Sequence, residues 1–353
     1  MRRRVLITGG CGYVGSALVQ RLVRDGGYHV TVLDNGLVPG RRMEGGPVDY
    51  VEGDVRDTAD WSALLKNVDS VVHLAAVVGD PASSIDTQLT WEVNYLATVR
   101  LVTECRKAGV ARFVFSSTCS NYGVVDDVAD VDSPLQPHSD YAQSKVRAEH
   151  HLLVSQDVGF TPVIVRLATL YGLAPRMRFD LAVNVMTANA VRNGKIEVHG
   201  GKQWRPFLHV NDAAKALQLA VEAGATPPVP QVYNCGSNAD CYQLGDIGRQ
   251  IAAEVPGSEL VTLDAVTDVR DYRVSFDRME KRIGFHADLR VVDGIREIRD
   301  ALTAGEYADY THERYSDHLS VAASVQRGDP AGQCRSGRRH PDVTTDCRAG
   351  SGV

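Results

Sequence analysis

Short runs of β-branched and aliphatic residues alternate with longer stretches of helical periodicity in the first half of the chain. In 16–24 and 93–107 apolar residues recur at three- and four-residue spacing, as on one face of a helix. Strands that alternate with helices predict βαβ units, and therefore a parallel sheet covered on both faces. The predicted strands are 4–7, 29–33, 48–51, 70–74, 112–115, 163–167 and 232–235.

The alternation loosens after residue 172, which predicts a second, smaller lobe. We expect the sheet domain to comprise 1–172 with returns near 204–235, and the lobe to comprise 173–203 and 236–315. The last residues, 316–353, have few large hydrophobic side chains and no clear period. They are expected to form a poorly ordered tail without a catalytic part.

Composition and charge narrow the functional classes. The 353 residues are 44% hydrophobic and 23% charged, which is typical of a globular protein, and the net charge of −6 does not indicate nucleic acid as a partner. No apolar run approaches the roughly 18 to 20 residues that a membrane helix needs. The apolar stretch after the basic start ends at Thr8 without a small-residue cleavage site. We therefore expect a cytoplasmic protein with neither nucleic acid nor membrane as a partner.

The seven cysteines are scattered and form no C-x-x-C pair. Such spacing predicts reduced thiols, with no zinc site and no disulfide framework. No metal is expected.

A glycine-rich segment follows the first predicted strand and opens the first helix. It runs from Thr8 to Gly15 as TGGCGYVG, and its glycines would let the backbone approach a pyrophosphate at the helix N-terminus. Asp34 ends the second strand, where a carboxylate can accept both ribose hydroxyls of an adenosine and repel a 2′-phosphate. The alternative is a tight turn without a ligand. The combination favours a dinucleotide site for NAD over NADP.

Two further strand ends lie beside the expected dinucleotide path. Asp54-Val55 could flank the adenine, although Asp54 could equally be a helix N-cap. The sequence His73-Leu74-Ala75-Ala76 ends the fourth strand with small residues, and His73 itself is expected to be a packed histidine.

Tyr141 and Lys145 lie one helical turn apart in the sequence YAQSK. A phenol near pKa 10 is a poor base at neutral pH, but a nearby ammonium stabilises the phenolate. Tyr141 could then take a hydroxyl proton as a hydride leaves the carbon, with Thr118 hydrogen-bonded to the same hydroxyl. A surface helical pair is the alternative, but the glycine-rich segment and Asp34 favour a redox centre.

Together these motifs resemble the extended short-chain dehydrogenase/reductase family, in its NAD-dependent nucleotide-sugar epimerase/dehydratase branch. The resemblance covers roughly residues 4 to 300 and implies a Rossmann-type doubly wound sheet, a smaller C-terminal substrate-binding lobe and a homodimer. It rests on 8–15, 73–76, Asn94, 116–118, Tyr122-Gly123, Tyr141 with Lys145, and 205–212.

The resemblance also implies residue roles. Thr118, Tyr141 and Lys145 are the expected catalytic residues, and Asn94 supports the nicotinamide side. The expected NAD contacts are Gly9, Gly12, Tyr13, Val14, Gly15, Asp34, Asn35, Asp54, Val55, Leu74, Ala75, Ala76, Asn94, Tyr141 and Lys145.

The substrate implied is a nucleotide-diphosphate sugar, whose two charges call for guanidinium groups. By family position Arg205 and Arg273 touch the diphosphate, and Asn184 and Val185 lie on the uridine side. A surface salt bridge is the alternative for either arginine. The remaining expected substrate contacts are Thr118, Cys119 and Ser120.

Cys119 and Ser120 bear on the reaction. Relatives that are 4,6-dehydratases carry Asp-Glu at these positions, and neither a serine nor a thiol easily replaces a carboxylic acid. We therefore expect 4-epimerisation. The alternative is decarboxylation or dehydration, since the run Pro175-Arg176-Met177 resembles the corresponding loop of UDP-glucuronate decarboxylases. Cys119 itself could be a proton donor, and the alternative for it is a buried structural thiol.

Two other classes are weighed against a nucleotide-sugar enzyme. A catalytically silent NAD-binding regulator is disfavoured because Tyr141 and Lys145 are both present. A steroid or flavonoid reductase is disfavoured by the paired arginines and the 204–212 segment.

Overall fold

A parallel sheet forms the centre of the computed structural model, which describes residues 2–40, 42–43, 45–57, 61–223, 231–265 and 268–327. The sheet has seven strands in the order β11-β7-β5-β4-β1-β2-β3. The described strands are β1 Arg3–Thr8, β2 Tyr28–Asp34, β3 Val48–Glu52, β4 Ser70–His73, β5 Arg112–Thr118, β6 Val124–Ala129, β7 Thr161–Leu167, β8 Thr169–Tyr171, β9 Lys195–His199, β10 Trp204–His209, β11 Gln231–Cys235, β12 Cys241–Gln243, β13 Glu259–Leu263 and β14 Asp271–Val274.

Helices cover both faces of the sheet and build the lobe beside it. A π-helix spans Glu92–Leu96, and 3₁₀ helices span Cys119–Tyr122 and Glu313–Tyr315. The α-helices are α1 Tyr13–Asp25, α2 Trp61–Leu64, α3 Asp80–Ser83, α4 Thr87–Trp91, α5 Ala97–Ala108, α6 Asp140–Val154, α7 Ala182–Asn193, α8 Val210–Glu222, α9 Leu244–Glu254, α10 Asp277–Ile283, α11 Val291–Thr303 and α12 Asp317–Gln326.

The seven predicted strands are the seven strands of this sheet, so the α/β prediction with a doubly wound parallel sheet is confirmed. Strand β1 lies between β2 and β4, and all the pairings are parallel. Its side chains are buried on both faces, as a central parallel strand requires: Leu6 and Ile7 are fully buried. The chain reverses direction across the sheet at β1, and in such sheets ligands bind beyond the carboxyl ends of the strands at that point.

The lobe is built on small sheets. Strands β12, β10 and β8 form a three-stranded sheet, and β13 pairs with β9. Helices α7, α9 and α11 pack around a core that includes Val183, Phe207, Ile247 and Ile295. Helix α8 packs on α1, and β11 joins the main sheet, so these two elements return the chain to the sheet domain.

The expectation of a poorly ordered tail from residue 316 is wrong for 316–327. Ser316 caps α12 by accepting a hydrogen bond from the Leu319 amide at 3.2 Å. Val321, 2% exposed, packs into the core cluster of the sheet domain. Burial of the Val321 side chain stabilises a helix that the low overall hydrophobicity of the segment did not predict. Residues 328–353 lie outside the described residues.

A buried ion pair joins α6 to the sheet. Arg166 on β7 donates to Glu149 on α6 through Nη2 and Nε, at 2.6 Å and 3.0 Å, and both residues are almost fully buried. Asn121 donates to the same carboxylate at 2.9 Å, Ser117 donates to it as well, and Arg166 donates to the Tyr122 hydroxyl at 2.8 Å. These contacts fix α6, β7, the end of β5 and the 3₁₀ helix Cys119–Tyr122 to one another.

We predict that Glu149→Gln lowers the free energy of unfolding by about 3 kcal/mol, because it leaves the buried Arg166 guanidinium without a counter-charge. Urea denaturation at pH 7 would measure it. The matched control is Glu104→Gln, which removes a carboxylate from a surface pair with Lys107 and should cost less than about 1 kcal/mol. Equal losses in the two variants would contradict a structural role for the pair.

Candidate active site

A cleft of about 630 Å³ lies at the carboxyl ends of the sheet strands and extends into the lobe. Its lining comes from the loop after β1, from the ends of β2, β4 and β5, from α6 and from the lobe. A volume of this size suits an organic ligand. The cleft brings together most of the residues that the sequence predicts.

The glycine-rich loop forms the floor of the cleft. Gly9 has φ +72°, and a Cβ at Gly15 would lie 2.2 Å from the Gly9 oxygen, so neither position tolerates a side chain. Helix α1 begins after Gly12, with no side chain capping its N-terminus. Its free backbone N–H groups and the positive end of its dipole suit a pyrophosphate. Gly9, Gly12, Tyr13, Val14 and Gly15 all line the cleft, as predicted for NAD contacts.

The ends of β2 and β3 form one end of the cleft. The Asp34 carboxylate accepts hydrogen bonds from the Cys11 and Gly36 amides, both at 3.0 Å, which fix its orientation. Asp34, Asn35 and Val55 line the cleft. Asp54 is not among the lining residues; its carboxylate binds Arg56 at 3.0 Å and accepts from Asn35 at 2.9 Å. Asp54 therefore orients Asn35 from behind.

Leu74, Ala75 and Ala76 line the cleft beyond the end of β4. His73 is packed, as expected: it is 1% exposed, its ring nitrogens lie 2.6 Å from Thr8 Oγ1 and 2.9 Å from Thr98 Oγ1, and burial lowers its pKa to about 3. Asn94 is not among the lining residues. It lies in the π-helix, accepts from the Val77 amide at 2.8 Å and donates to Ser144 Oγ at 3.1 Å, so it ties the strand end to α6.

Thr118 and Tyr141 meet in the cleft. Thr118 ends β5, Tyr141 lies in the first turn of α6, and both side chains line the cleft. Burial raises the pKa of Tyr141 to about 12, while Thr118, Arg178 and Arg270 act in the opposite direction. The phenol is thus protonated at neutral pH in the absence of a ligand, and added positive charge would favour its ionisation.

Lys145 lies one turn further along α6 and is 3% exposed. Its ammonium donates to the Ser116 carbonyl at 2.9 Å and lies 4.7 Å from the centre of the Phe115 ring. Burial lowers the pKa of Lys145 to about 7, against the opposing charge of Glu149. The ammonium is therefore poised to lose its proton near neutral pH.

Only one of the two predicted diphosphate arginines lines the cleft. Arg205 lines the cleft and is 3% exposed. Its Nη2 lies 3.0 Å from Asp268 Oδ2, but the two atoms are not oriented for a hydrogen bond. Arg273 is not among the lining residues: it donates to the Asp126 carbonyl at 2.7 Å, with its guanidinium 5.7 Å from the Trp204 ring centre. Arg270 takes a place in the cleft instead and donates to Ser120 Oγ at 2.8 Å.

Two further predicted substrate contacts do not reach the cleft. Cys119 is fully buried, its thiol faces the Arg166 carbonyl at 3.3 Å, and burial raises its pKa. Asn184 is buried and donates to the Arg178 carbonyl at 2.8 Å, which makes it a support for the lobe loop. Ser120 and Val185 do line the cleft.

Sequence reasoning missed charged residues that line the cleft: Asp80, Arg178, Asp180, Asp268, Arg270 and Asp317. Arg178 directly follows Pro175-Arg176-Met177, the run singled out in the sequence, so that run pointed to the right loop but did not include the lining arginine. Arg270 precedes β14, where the register shifts between Asp271 and Arg273, and no sequence pattern indicates which arginine faces inward.

Two properties are reported for the described residues alone. No group of three or more His, Cys, Asp or Glu side chains in them has the arrangement to hold a metal ion. None of the helices in that part of the chain has the length and apolarity to cross a bilayer.

Sequence comparison gives a family match and several relatives. The profile of the NAD dependent epimerase/dehydratase family matches residues 5–236. A dTDP-glucose 4,6-dehydratase of Streptomyces niveus is 27% identical over 317 residues, which cover 83% of this chain and 91% of that protein. A UDP-glucose 4-epimerase of Streptomyces lividans is 31% identical over 238 residues, covering 63% and 72%.

Solved structures of similar proteins also include NAD-dependent enzymes of nucleotide sugars. MoeE5 in complex with UDP-glucose and NAD is 29% identical, with a TM-score of 0.75, covering 86% of this chain and 99% of that one. TunA, an NAD-dependent NDP-hexosamine 5,6-dehydratase involved in tunicamycin biosynthesis, is 29% identical, with a TM-score of 0.77, covering 87% and 100%. Both epimerases and dehydratases are therefore among the similar proteins.

We predict that Gly15→Ala weakens NAD binding at least about 10-fold, because the new Cβ would displace the loop backbone that the pyrophosphate approaches. Calorimetric titration with NAD measures the loss, and thermal unfolding checks that the variant is folded. In the control Gly159→Ala the new Cβ meets only the Asp157 side chain at 3.6 Å. Unchanged NAD affinity in a folded Gly15→Ala protein would exclude this loop as the dinucleotide site.

Lys145 predicts a pH dependence of stability. Burial lowers the pKa of Lys145 from 10.5 to about 7 in the folded, NAD-free protein. Between these two pH values the unfolded chain binds more protons than the folded one. The free-energy penalty for burying Lys145 therefore falls as the pH rises. We expect Lys145→Met to be more stable than the wild type at pH 7. That advantage should shrink by about 1.4 kcal/mol per unit from pH 7 to 9.

Urea denaturation at pH 7, 8 and 9 measures this difference. The control Lys107→Met replaces an exposed lysine and should show a difference that does not change with pH. A constant gap between Lys145→Met and the wild type would mean that Lys145 keeps an ordinary pKa.

Proposed function

Because the chain belongs to the NAD-dependent epimerase/dehydratase family and is an NAD-dependent enzyme of that kind, we propose that it is a nucleotide-sugar 4-epimerase. The observation that carries the proposal is the state of the acidic and nucleophilic groups around Tyr141. Elimination needs a free acid or base beside C5 and C6. Epimerisation needs proton exchange at the C4 hydroxyl, removal of the C4 hydride to NAD, a turn of the keto sugar and return of the hydride to its other face, with no acid or base at C5 or C6.

Tyr141 is the proposed group for that exchange. When bound, NAD supplies a hydride acceptor and donor for C4. Tyr141 takes the proton of the C4 hydroxyl and later returns it, Thr118 orients the hydroxyl, and the Lys145 ammonium favours the phenolate. The backbone of Gly9, Gly12 and Gly15 would hold the cofactor, with Asp34 at the ribose.

The acidic side chains near Tyr141 are paired with arginines, and the nearby thiol lies outside the cleft lining. Burial alone would raise the pKa of Asp268, but hydrogen bonds from Arg270 and the charges of Arg270 and Arg205 lower it overall, so it is a poor proton donor at neutral pH. Asp80 accepts from Ser139 at 2.6 Å and lies 3.5 Å from the Arg270 guanidinium. Cys119 lies behind the cleft with a raised pKa. These contacts support epimerisation over elimination.

The arginines support a diphosphate ligand. Arg205 and Arg270 line the cleft, and the Nη2 of Arg205 is buried without a hydrogen-bond partner. A phosphate oxygen would satisfy it, because guanidinium groups bind phosphate through paired N–H donors. By family resemblance alone, we also propose a cytoplasmic homodimer.

Product analysis tests the reaction. The protein is incubated with NAD and a panel of nucleotide sugars in deuterium oxide, followed by mass and NMR analysis. We expect a product of unchanged mass with inverted C4 and no deuterium on carbon. Loss of water or carbon dioxide with deuterium on carbon would overturn the proposal in favour of dehydration or decarboxylation.

The proton-transfer role is tested by Tyr141→Phe, which removes only the hydroxyl. We expect kcat to fall at least about 100-fold, since general acid–base catalysis contributes typically 10²–10⁴-fold, while NAD binding persists. The control Tyr95→Phe alters a partly exposed tyrosine outside the cleft lining and should keep full activity. Normal turnover by Tyr141→Phe would assign the proton to another group.

A further inference from the structure

Helix α12 lies at the edge of the cleft described above. Ser316, Asp317 and His318 line the same cleft as Tyr141. The helix contacts α3, which follows the end of β4, and Val321 anchors it in the core of the sheet domain. The last described element of the chain therefore helps to enclose the site.

Asp317 is held by two arginines from the loop before α7. Its Oδ1 lies 2.7 Å from Arg176 Nη1, and its Oδ2 lies 2.9 Å from Arg178 Nη1. The three side chains are 14%, 3% and 11% exposed, respectively. Two guanidinium groups that share one carboxylate present the geometry that proteins use for anionic ligands.

The charges of this cluster balance only while Asp317 is present. Arg178 also binds Asp180, through Nε at 2.8 Å and Nη2 at 3.0 Å, and Asp180 accepts from the Asp317 amide at 2.9 Å. Without Asp317, two buried arginines would face one aspartate. An uncompensated buried charge is costly, so the arginines would then require another anion.

A second observation points to a ligand at the same place. The Nδ1 atom of His318 is buried and has no hydrogen-bond partner. Buried polar atoms are normally paired, so this atom marks a position that a bound group could satisfy. Arg178 lines the same cleft as Tyr141, whereas Arg176 is not among the lining residues, so Arg178 is the member of the cluster that faces a ligand in the cleft.

We propose that α12 is a displaceable lid, and that Arg176 and Arg178 form an anion subsite which Asp317 occupies until an anionic oxygen group of the ligand takes its place. The lid competes with the ligand for the same two guanidinium groups. An acidic ligand opens the lid, and a ligand without an anion at this position leaves it closed. The nature of the ligand, a nucleotide sugar, rests on the proposed function; the latch itself does not.

Hydrogen exchange of the peptide 316–327 in the full chain tests the lid without measuring activity. We expect Asp317→Asn to speed exchange of the α12 amides about 10-fold, because the helix loses the charged acceptor that ties it to Arg176 and Arg178. The control Glu313→Gln removes an exposed carboxylate from the 3₁₀ helix just before this peptide and should leave its exchange unchanged. Exchange in Asp317→Asn equal to the wild type would overturn the latch.

Ligand arms identify the displacing group. With NAD present, UDP-glucuronate and UDP-glucose share the diphosphate but differ in the carboxylate on the sugar. Faster exchange of α12 in the wild type with UDP-glucuronate alone assigns the subsite to the carboxylate, and faster exchange with both assigns it to the diphosphate. The ligand effect should vanish in Asp317→Asn. If neither ligand, at saturation, changes exchange in the wild type, Asp317 is a structural contact and the proposal fails.

This readout separates the lid from the reaction. A protein that turns over neither ligand by epimerisation but still loosens α12 on binding refutes the proposed function and keeps the lid. If the protein epimerises its substrate while the α12 amides stay fully protected from exchange, the lid is refuted and the proposed function stands.

Discussion

The buried pair between Glu149 and Arg166 is the interaction on which the geometry of the site depends. It joins α6, which carries Tyr141 and Lys145, to β7 and to the end of β5 beside Thr118. Both charged side chains are almost fully buried, so each partner is costly to remove. The relative position of the Thr118, Tyr141 and Lys145 side chains follows from it. The negative charge of Glu149 also raises the pKa of Lys145, and so partly offsets the lowering that burial causes.

The cleft combines two halves with different physical character. The half near β1 and β2 offers backbone: glycines that leave room, uncapped N–H groups and an aspartate held by amides. The half near the lobe offers guanidinium groups, each paired with an aspartate. Arginine–aspartate pairs keep the carboxylates ionised, and they hold the guanidinium groups in place for an incoming anion. The structure thus favours a ligand with charge at one end and proton chemistry at Tyr141.

Much of the fold could be predicted from the sequence, because strands buried on both faces are continuous apolar runs with clear boundaries. All seven strands of the main sheet were recognisable in this way. The glycine-rich loop and the Tyr141–Lys145 pair were also predictable, since their spacing within one element fixes their geometry.

The substrate half was less predictable, because its residues come from short loops whose side-chain direction depends on tertiary contacts. Arg273 was expected in the cleft, but an irregular register at β14 places Arg270 there instead. Cys119 follows Thr118 directly, yet the 3₁₀ turn after β5 points its thiol at the Arg166 carbonyl. Helix α12 was missed because Val321 is buried by a distant part of the chain and not by a local hydrophobic pattern.

The central place of β1 in the sheet also sets an order of assembly during synthesis. Strands β1 and β2 are synthesised first, and their neighbours in the sheet, β3 on one side and β4, β5, β7 and β11 on the other, are synthesised later. The ribosome adds roughly 5 to 20 residues per second, so the two ends of the chain become available at different times. The glycine-rich loop is therefore made early, whereas Arg205, Arg270 and Asp317 emerge late. A nascent chain contains the backbone-lined half of the cleft well before it contains the arginines of the other half.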